Sequence, residues 1–182
     1  MCKESAVRAA LTAAQEHCAL CPRRCGAARR ETAGLCGMGA ELKVARAALH
    51  YWEEPCISGC DGSGTVFFSG CTLRCVFCQN REISAGGFGQ AISVERLREV
   101  FRELEAAGAS NINLVSPTQF APWIALALEE VPGIPVVWNT GGYERVETLR
   151  LLEGKVQIYL PDLKYVSAKW SRRCSGAADY FT

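Results

Sequence analysis

From Thr65 onward, short apolar runs alternate with stretches whose apolar residues recur at helical spacing. Thr65-Val66-Phe67-Phe68 is rich in β-formers and predicts a buried strand. Ser93 predicts the cap of a helix that carries Val94, Leu97, Phe101 and Leu104 on one face and ends near Gly108. Asn111 to Val115, Ile134 to Trp138 and Val156 to Leu160 read as further strands. Pro122 to Glu130, Glu144 to Leu152 and Val166 to Cys174 read as the helices between and after them. Short strands alternating with helices predict right-handed βαβ units and a parallel sheet.

The chain before this region is less regular. Glu4 to Gln15 reads as a helix with Ala6, Ala10, Leu11 and Ala14 on one side. A basic, turn-rich segment runs from Cys18 to Gly39, Leu42 to Tyr51 is an extended segment or hairpin arm, and Gly59, Gly62 and Gly64 mark a loop. The chain thus divides into a prelude over 1–62 and an α/β unit over 63–182.

The segments directly after the strands of this unit are polar or glycine-rich: Ser69-Gly70-Cys71, Ser116-Pro117-Thr118, Asn139-Thr140-Gly141-Gly142 and Asp162-Leu163-Lys164. In parallel α/β folds the loops at the carboxyl ends of the strands converge on one face, and chemistry gathers there. The glycines Gly70, Gly141 and Gly142 are expected to let backbone approach a bulky ligand.

Composition narrows the classes. At 182 residues, 49% hydrophobic and 21% charged, the chain can bury a sizeable core and is not globally disordered. A net charge of +1 supplies no field for gathering nucleic acid or anionic membrane, so neither is an expected partner. The longest apolar run, around Trp123 to Leu128, is far shorter than a spanning helix. Glu4, Arg8, Gln15 and Glu16 interrupt any signal peptide, so a cytoplasmic location is expected. Arg23, Arg24, Arg29 and Arg30 lack interleaved aromatics and read as a solvated face.

Eleven cysteines change this picture. In a reducing compartment, clustered thiols point to metal, and the odd count argues against full disulfide pairing. Cys71-Thr-Leu-Arg-Cys75-Val-Phe-Cys78 comes directly after a strand. Three such thiolates can hold three irons of a 4Fe–4S cluster, which leaves the fourth iron open for chemistry.

At these residues the chain resembles the radical S-adenosylmethionine superfamily, above all the branch around pyruvate formate-lyase-activating enzymes. Within it, the chain is most similar to a subgroup with a cysteine-rich prelude and a stretch like Trp52-Glu53-Glu54-Pro55-Cys56-Ile57-Ser58-Gly59. The resemblance implies a (βα) TIM-like barrel, here partial with about four units. It implies Cys71, Cys75 and Cys78 as cluster ligands and S-adenosylmethionine chelated to the open iron. One electron then yields methionine and a 5′-deoxyadenosyl radical that abstracts hydrogen. Phe77 matches an aromatic beside the adenine, and Asn80 matches a family asparagine, with Gln79 in place of histidine. Ser116-Pro117-Thr118 stands where the family has Gly-Gly-Glu, which leaves Thr118 and loop carbonyls for the cofactor's amino group. Asn139-Thr140, with Gly141 beside it, resembles an Asp-Thr pair, and Asp162-Leu163-Lys164 resembles an Asp-x-Lys element near the carboxylate and a monovalent cation. The implied partners are an electron donor such as flavodoxin or ferredoxin and a glycyl radical protein as substrate. Resembling proteins continue past Ala178 to Thr182, so the chain reads as C-terminally truncated, and a third reading is an inactive fragment, a half-barrel that assembles its cluster poorly.

Cys18, Cys21, Cys25 and Cys36 form a second set, with Pro22, Gly26, Gly34 and Gly37 supplying turns. Four thiolates suit either a structural zinc or an auxiliary iron–sulfur cluster. Cys56 and Cys60 are a spare pair that would ligate metal or assist near the main site, while Cys2 and Cys174 read as ordinary thiols. His17 is an alternate ligand beside Cys18, and His50 reads as packing or surface. The competing class is a zinc- or cluster-binding structural or electron-transfer module without radical chemistry.

Overall fold

The computed structural model describes residues 3–130 and 132–181, so Cys2 lies outside the described residues. The Ala-rich run forms α1 (Lys3–Glu16), and β1 (Lys43–His50), α2 (Pro55–Ser58), β2 (Ser63–Phe68), α3 (Arg81–Ser84), β3 (Gln90–Ala91) and α4 (Val94–Ala106) come next. The order is completed by β4 (Ile112–Val115), α5 (Ala121–Ala127), β5 (Val136–Thr140), α6 (Val146–Leu149), β6 (Ile158–Pro161) and α7 (Ala168–Ser175).

The strands form one open six-stranded sheet in the order β3-β1-β2-β4-β5-β6. β2, β4, β5 and β6 are parallel, as the alternation predicts. The segment read as an extended stretch or hairpin arm is β1, which runs antiparallel to both β2 and β3. The chain leaves β1, turns through α2 and re-enters the sheet beside it, and such a direct return yields an antiparallel neighbour. The two-residue β3 carried no periodic signal. Among the described residues the sheet ends at β3 and β6 and does not close.

Pleating sorts the strand residues onto two faces. Val66, Phe68, Ile112, Leu114, Val136 and Trp138 join one core with Leu97, Val100, Phe101 and Leu104 of α4. Each such side chain contributes about 1.5–3 kcal/mol by leaving water. α4 forms as the spacing predicts: the Ser93 hydroxyl accepts the Arg96 backbone N–H at 3.0 Å, capping the first turn. Every residue of α5 is buried, so this helix, apolar all round, is enclosed between α1, α4 and the sheet. Val7 and Ala14 of α1, with Leu20, Met38 and Leu42 of the prelude, complete the same core.

Two boundaries move for local reasons. Pro135 delays the start of β5, which then runs on through Asn139 and Thr140, paired with Leu160 and Pro161. The helix expected from Glu144 starts only at Val146, because Arg145 is extended, and it ends in a 3₁₀ turn over Arg150–Leu152.

The basic prelude is only in part the solvated face expected of it: Arg24 and Arg30 are exposed, Arg23 is half-buried and Arg29 is buried. Arg29 is 2% exposed. Its Nε donates to the Gly39 carbonyl at 2.9 Å and its Nη1 to the Gln119 carbonyl at 2.6 Å. Its guanidinium lies 4.9 Å from the Trp123 ring centre. Arg23 donates to the carbonyls of Thr72, Leu73 and Ser175. Planar multi-donor groups satisfy several buried carbonyls at once, which a sequence count of charge does not reveal. Arg29→Ala is expected to cost about 2–4 kcal/mol, since it leaves carbonyls unmet and a cavity over Trp123. Urea unfolding measures this.

Candidate cluster and cofactor site

The loop that carries the cysteine triplet leaves β2 through Ser69 and Gly70. Gly70 has φ +76, and a Cβ there would lie 2.5 Å from Met38 Cγ and 2.7 Å from the Cys36 carbonyl oxygen. Only glycine permits that approach. The Cys71 N–H then donates to the same Cys36 carbonyl at 3.3 Å, joining the triplet loop to the prelude. Arg74, at φ +51, is a non-glycine residue in the left-handed region. Its guanidinium donates to the carbonyls of Leu35 and Ala85 and holds the turn in that sparse conformation.

The three thiols meet on one apolar wall. Leu73, Cys75, Tyr143, Tyr165 and Ala177 make a small second core, with Cys71, Cys78, Cys174 and Tyr180 packed against it. Cys75 is buried, and the Tyr165 hydroxyl donates to its Sγ at 2.9 Å. Burial pushes this thiol up, the Tyr165 hydrogen bond draws it down, and the charges of Cys71 and Cys78 push it up again. Among the described residues no three His, Cys, Asp or Glu side chains are grouped as ligands of a single ion. A cubane carries its irons at separate corners, so its thiolates stand wider apart than those around one ion. Three thiols on one wall, one of them already hydrogen-bonded at sulfur, fit such a cluster.

Lys164 lies beside the triplet. Burial works to lower its ammonium, but Asp162 and the charges of Cys75 and Cys78 outweigh that and hold it up. Its Nζ pairs with the Asp162 carboxylate. The Lys164 N–H donates to the Tyr180 phenol at 2.8 Å, and that phenol is within hydrogen-bond reach of the Gly141 and Asp162 carbonyls. Tyr180 thus ties the loop after β5 to the loop after β6. Nothing near it in the sequence marked it.

Glu144 is the principal residue that sequence reasoning missed. Its Oε1 accepts the Thr118 hydroxyl at 2.7 Å and the Thr140 hydroxyl as well. Burial pushes this carboxyl up, and the two threonines draw it back. The signal available was an acid closing Thr140-Gly141-Gly142-Tyr143-Glu144 at a strand's carboxyl end. Thr118 and Thr140, expected at the cofactor, are brought together through this carboxylate. The Ser116 N–H, at φ +52, donates to the Asn139 carbonyl at 3.0 Å. Gln119 Nε2 donates to the carbonyls of Ser69, Gly70 and Ser116, stitching the ends of β2 and β4. A cleft of about 470 Å³ has Glu144, Tyr180, Gly142, Pro22 and Arg24 on its walls.

The space that a Cβ would take on Gly70, Gly141 and Gly142 is filled by Met38, Leu73 and the Asp162 carbonyl respectively, so each glycine allows a close approach within the protein. Phe77 is exposed, with its ring 5.9 Å from that of Tyr165. Asn80 is exposed at the start of α3, where its carbonyl accepts the Ile83 and Ser84 N–H groups.

Cys56 and Cys60 are exposed on and just after α2, whose Ile57 carbonyl accepts from Asn111 at the entry to β4. That is the amino end of the parallel strands, opposite the triplet, so their expected part near the main site is corrected. His17 packs against Gly26, whose added Cβ would lie 2.7 Å from its ring Cε1. No described helix is long and apolar enough to cross a membrane.

Comparison with known proteins bears on this site directly. The chain is 32% identical over 176 residues to the uncharacterized protein MJ0674 of Methanocaldococcus jannaschii. That alignment covers 91% of this chain and 51% of the relative, so the chain spans about half the length of the curated relative it matches. The family model of the Radical SAM superfamily matches residues 65–179, the stretch that runs from β2 through the triplet, Glu144 and Lys164. The chain with its thiols gathered at the carboxyl ends of parallel strands therefore belongs to the radical S-adenosylmethionine superfamily.

Proposed function

We propose that Cys71, Cys75 and Cys78 hold a 4Fe–4S cluster, and that Lys164 and Glu144 engage the two ends of the amino-acid part of S-adenosylmethionine. With both groups bound, the chemistry they would supply is one-electron cleavage of a sulfur–carbon bond, giving methionine and a 5′-deoxyadenosyl radical for hydrogen abstraction. The observation that carries the reading is the juxtaposition at one sheet end of three thiols, a cation beside them and a half-buried carboxylate on the neighbouring loops. Lys164 is suited to a carboxylate. Glu144 is suited to an ammonium, because an acid partly withdrawn from water gains more from a cation than it would in water. The threonines fix its orientation, and Tyr180 keeps the two loops in register. An electron donor of the flavodoxin or ferredoxin type belongs to the proposal, and Val76 and Phe77 are exposed on the triplet loop where such a donor approaches. The proposal extends to hydrogen abstraction from a substrate. The glycyl-radical reading rests on the branch resemblance alone.

The test is anaerobic reconstitution with iron and sulfide, reduction, and product analysis after adding S-adenosylmethionine. Equal amounts of methionine and 5′-deoxyadenosine support the reading, and unchanged S-adenosylmethionine refutes it. Tyr165→Phe supplies a finer check. Loss of the hydroxyl removes a hydrogen bond to a ligand sulfur, so the cluster potential falls, on the order of tens of millivolts, with iron content retained. A redox titration followed by electron paramagnetic resonance reads the shift.

A further inference from the structure

We infer that Cys18, Cys21, Cys25 and Cys36 hold a second iron–sulfur cluster, seated against the loop that carries the first triplet. The radical chemistry leaves these thiols unused, and the inference does not depend on it.

The four are gathered in space. Cys18, Cys21 and Cys36 are buried, and Cys25 is half-buried. A Cβ on Gly34 would lie 3.3 Å from Cys25 Sγ and 3.5 Å from Cys36 Sγ, so two of the sulfurs flank one point. Cys21 feels the charges of Cys36, Cys18 and Cys25, and Cys36 feels those of Cys18 and Cys25. All are free thiols. The chain is also bent to bring them together: the Gly26 N–H donates to the Cys18 carbonyl at 2.9 Å and the Gly37 N–H to the Gly34 carbonyl at 2.8 Å.

The surroundings suit thiolates. The Arg23 N–H donates to the Cys21 sulfur and the Met38 N–H to the Cys36 sulfur, each from two residues further along the chain. The Arg29 guanidinium adds a positive charge near Cys36. Buried thiols kept as small hydrophobes need neither amide donors nor a cation, whereas thiolates on a metal centre are stabilised by both. Four thiolates suit a single zinc ion or a cluster; among the described residues no three such side chains are grouped around one ion, and the inference is therefore of the cluster, with zinc competition as its test. The consequence for the main site is mechanical. The Cys36 carbonyl takes the Cys71 N–H, and Arg23 donates to Thr72 and Leu73, so a filled prelude site holds the triplet loop in place.

The unmodified protein, reconstituted anaerobically with ferrous iron and sulfide in the presence of equal zinc, is expected to carry about eight irons, and the Cys71→Ala, Cys75→Ala, Cys78→Ala triple variant about four, with visible charge-transfer absorption retained. Adding Cys18→Ser and Cys36→Ser to the triple variant is expected to remove the remainder. About four irons in the unmodified protein with none in the triple variant would overturn the inference and leave the radical reading standing. So would one zinc and no iron in the triple variant. Iron retained by the triple variant without S-adenosylmethionine cleavage by the unmodified protein would instead support the second cluster and sink the radical reading. Because the iron count of the unmodified protein is itself decisive, the test survives a variant that fails to fold.

Discussion

Cys75→Ala is expected to strip the triplet cluster, lowering iron by about four per chain and abolishing S-adenosylmethionine cleavage. Cys75 is the most buried of the three thiols, and its sulfur accepts a side-chain hydrogen bond from the Tyr165 hydroxyl. Loss of a partner outside the ligand shell commonly costs 10–100-fold in metal affinity, so loss of a ligand costs more than about 100-fold. The fold itself is expected to survive. Cys75 belongs to the small satellite core and not to the main one under the sheet, and removing one sulfur there costs about 1 kcal/mol. Cys174→Ala is the control: this thiol packs against the same wall, but its backbone contact is made by its carbonyl, which accepts the Val76 N–H at 2.9 Å. It is expected to leave iron and cleavage unchanged. Iron analysis beside thermal unfolding separates loss of the cluster from loss of structure.

Glu144→Gln is expected to raise thermal stability at neutral pH while weakening S-adenosylmethionine binding about 10–100-fold, the range of a lost charge-assisted hydrogen bond. Burial raises the Glu144 carboxyl above its unfolded value. A group shifted in that direction contributes stability that is full below its unfolded pKa and lost as pH rises through its folded one. Once ionised, the carboxylate therefore weighs against the fold. Glutamine keeps the shape and can still accept from Thr118 and Thr140, so the variant loses the charge but not the link between the loops. Melting temperatures from pH 4 to 8 are expected to fall less steeply with pH in the variant than in the parent. If Glu144 were only a brace between loops, the variant would bind S-adenosylmethionine as well as the parent does. Stability gained where binding is lost is the usual mark of a group kept for function.

The triplet was legible in the sequence because its ligands are local: strand, turn and three cysteines fall within one short segment, and their convergence needs no long-range packing. The same holds for α4, whose cap and apolar stripe are all near neighbours in the chain. Lys164 and Asp162 could be placed because they come directly after a strand. Glu144 could not, since its character comes from Thr118, which reaches it from the end of a different strand, and from burial that only the assembled sheet creates. Arg29 misled for the same reason. Its charge suggested water, but the carbonyls of Gly39 and Gln119 and the ring of Trp123 surround it in the fold. The Leu42 to Tyr51 segment was visible as an extended stretch or hairpin arm and pairs antiparallel with β2, yet its register depends on how residues 51–62 turn, which its composition does not encode.

The most direct test of the account is the low-temperature electron paramagnetic resonance spectrum of the reduced, anaerobically reconstituted protein, recorded with and without S-adenosylmethionine. An iron left without a protein ligand by Cys71, Cys75 and Cys78 predicts that the cluster signal changes shape on addition and that the change vanishes in Cys75→Ala. A signal that S-adenosylmethionine leaves untouched, in protein holding its full complement of iron, would contradict it.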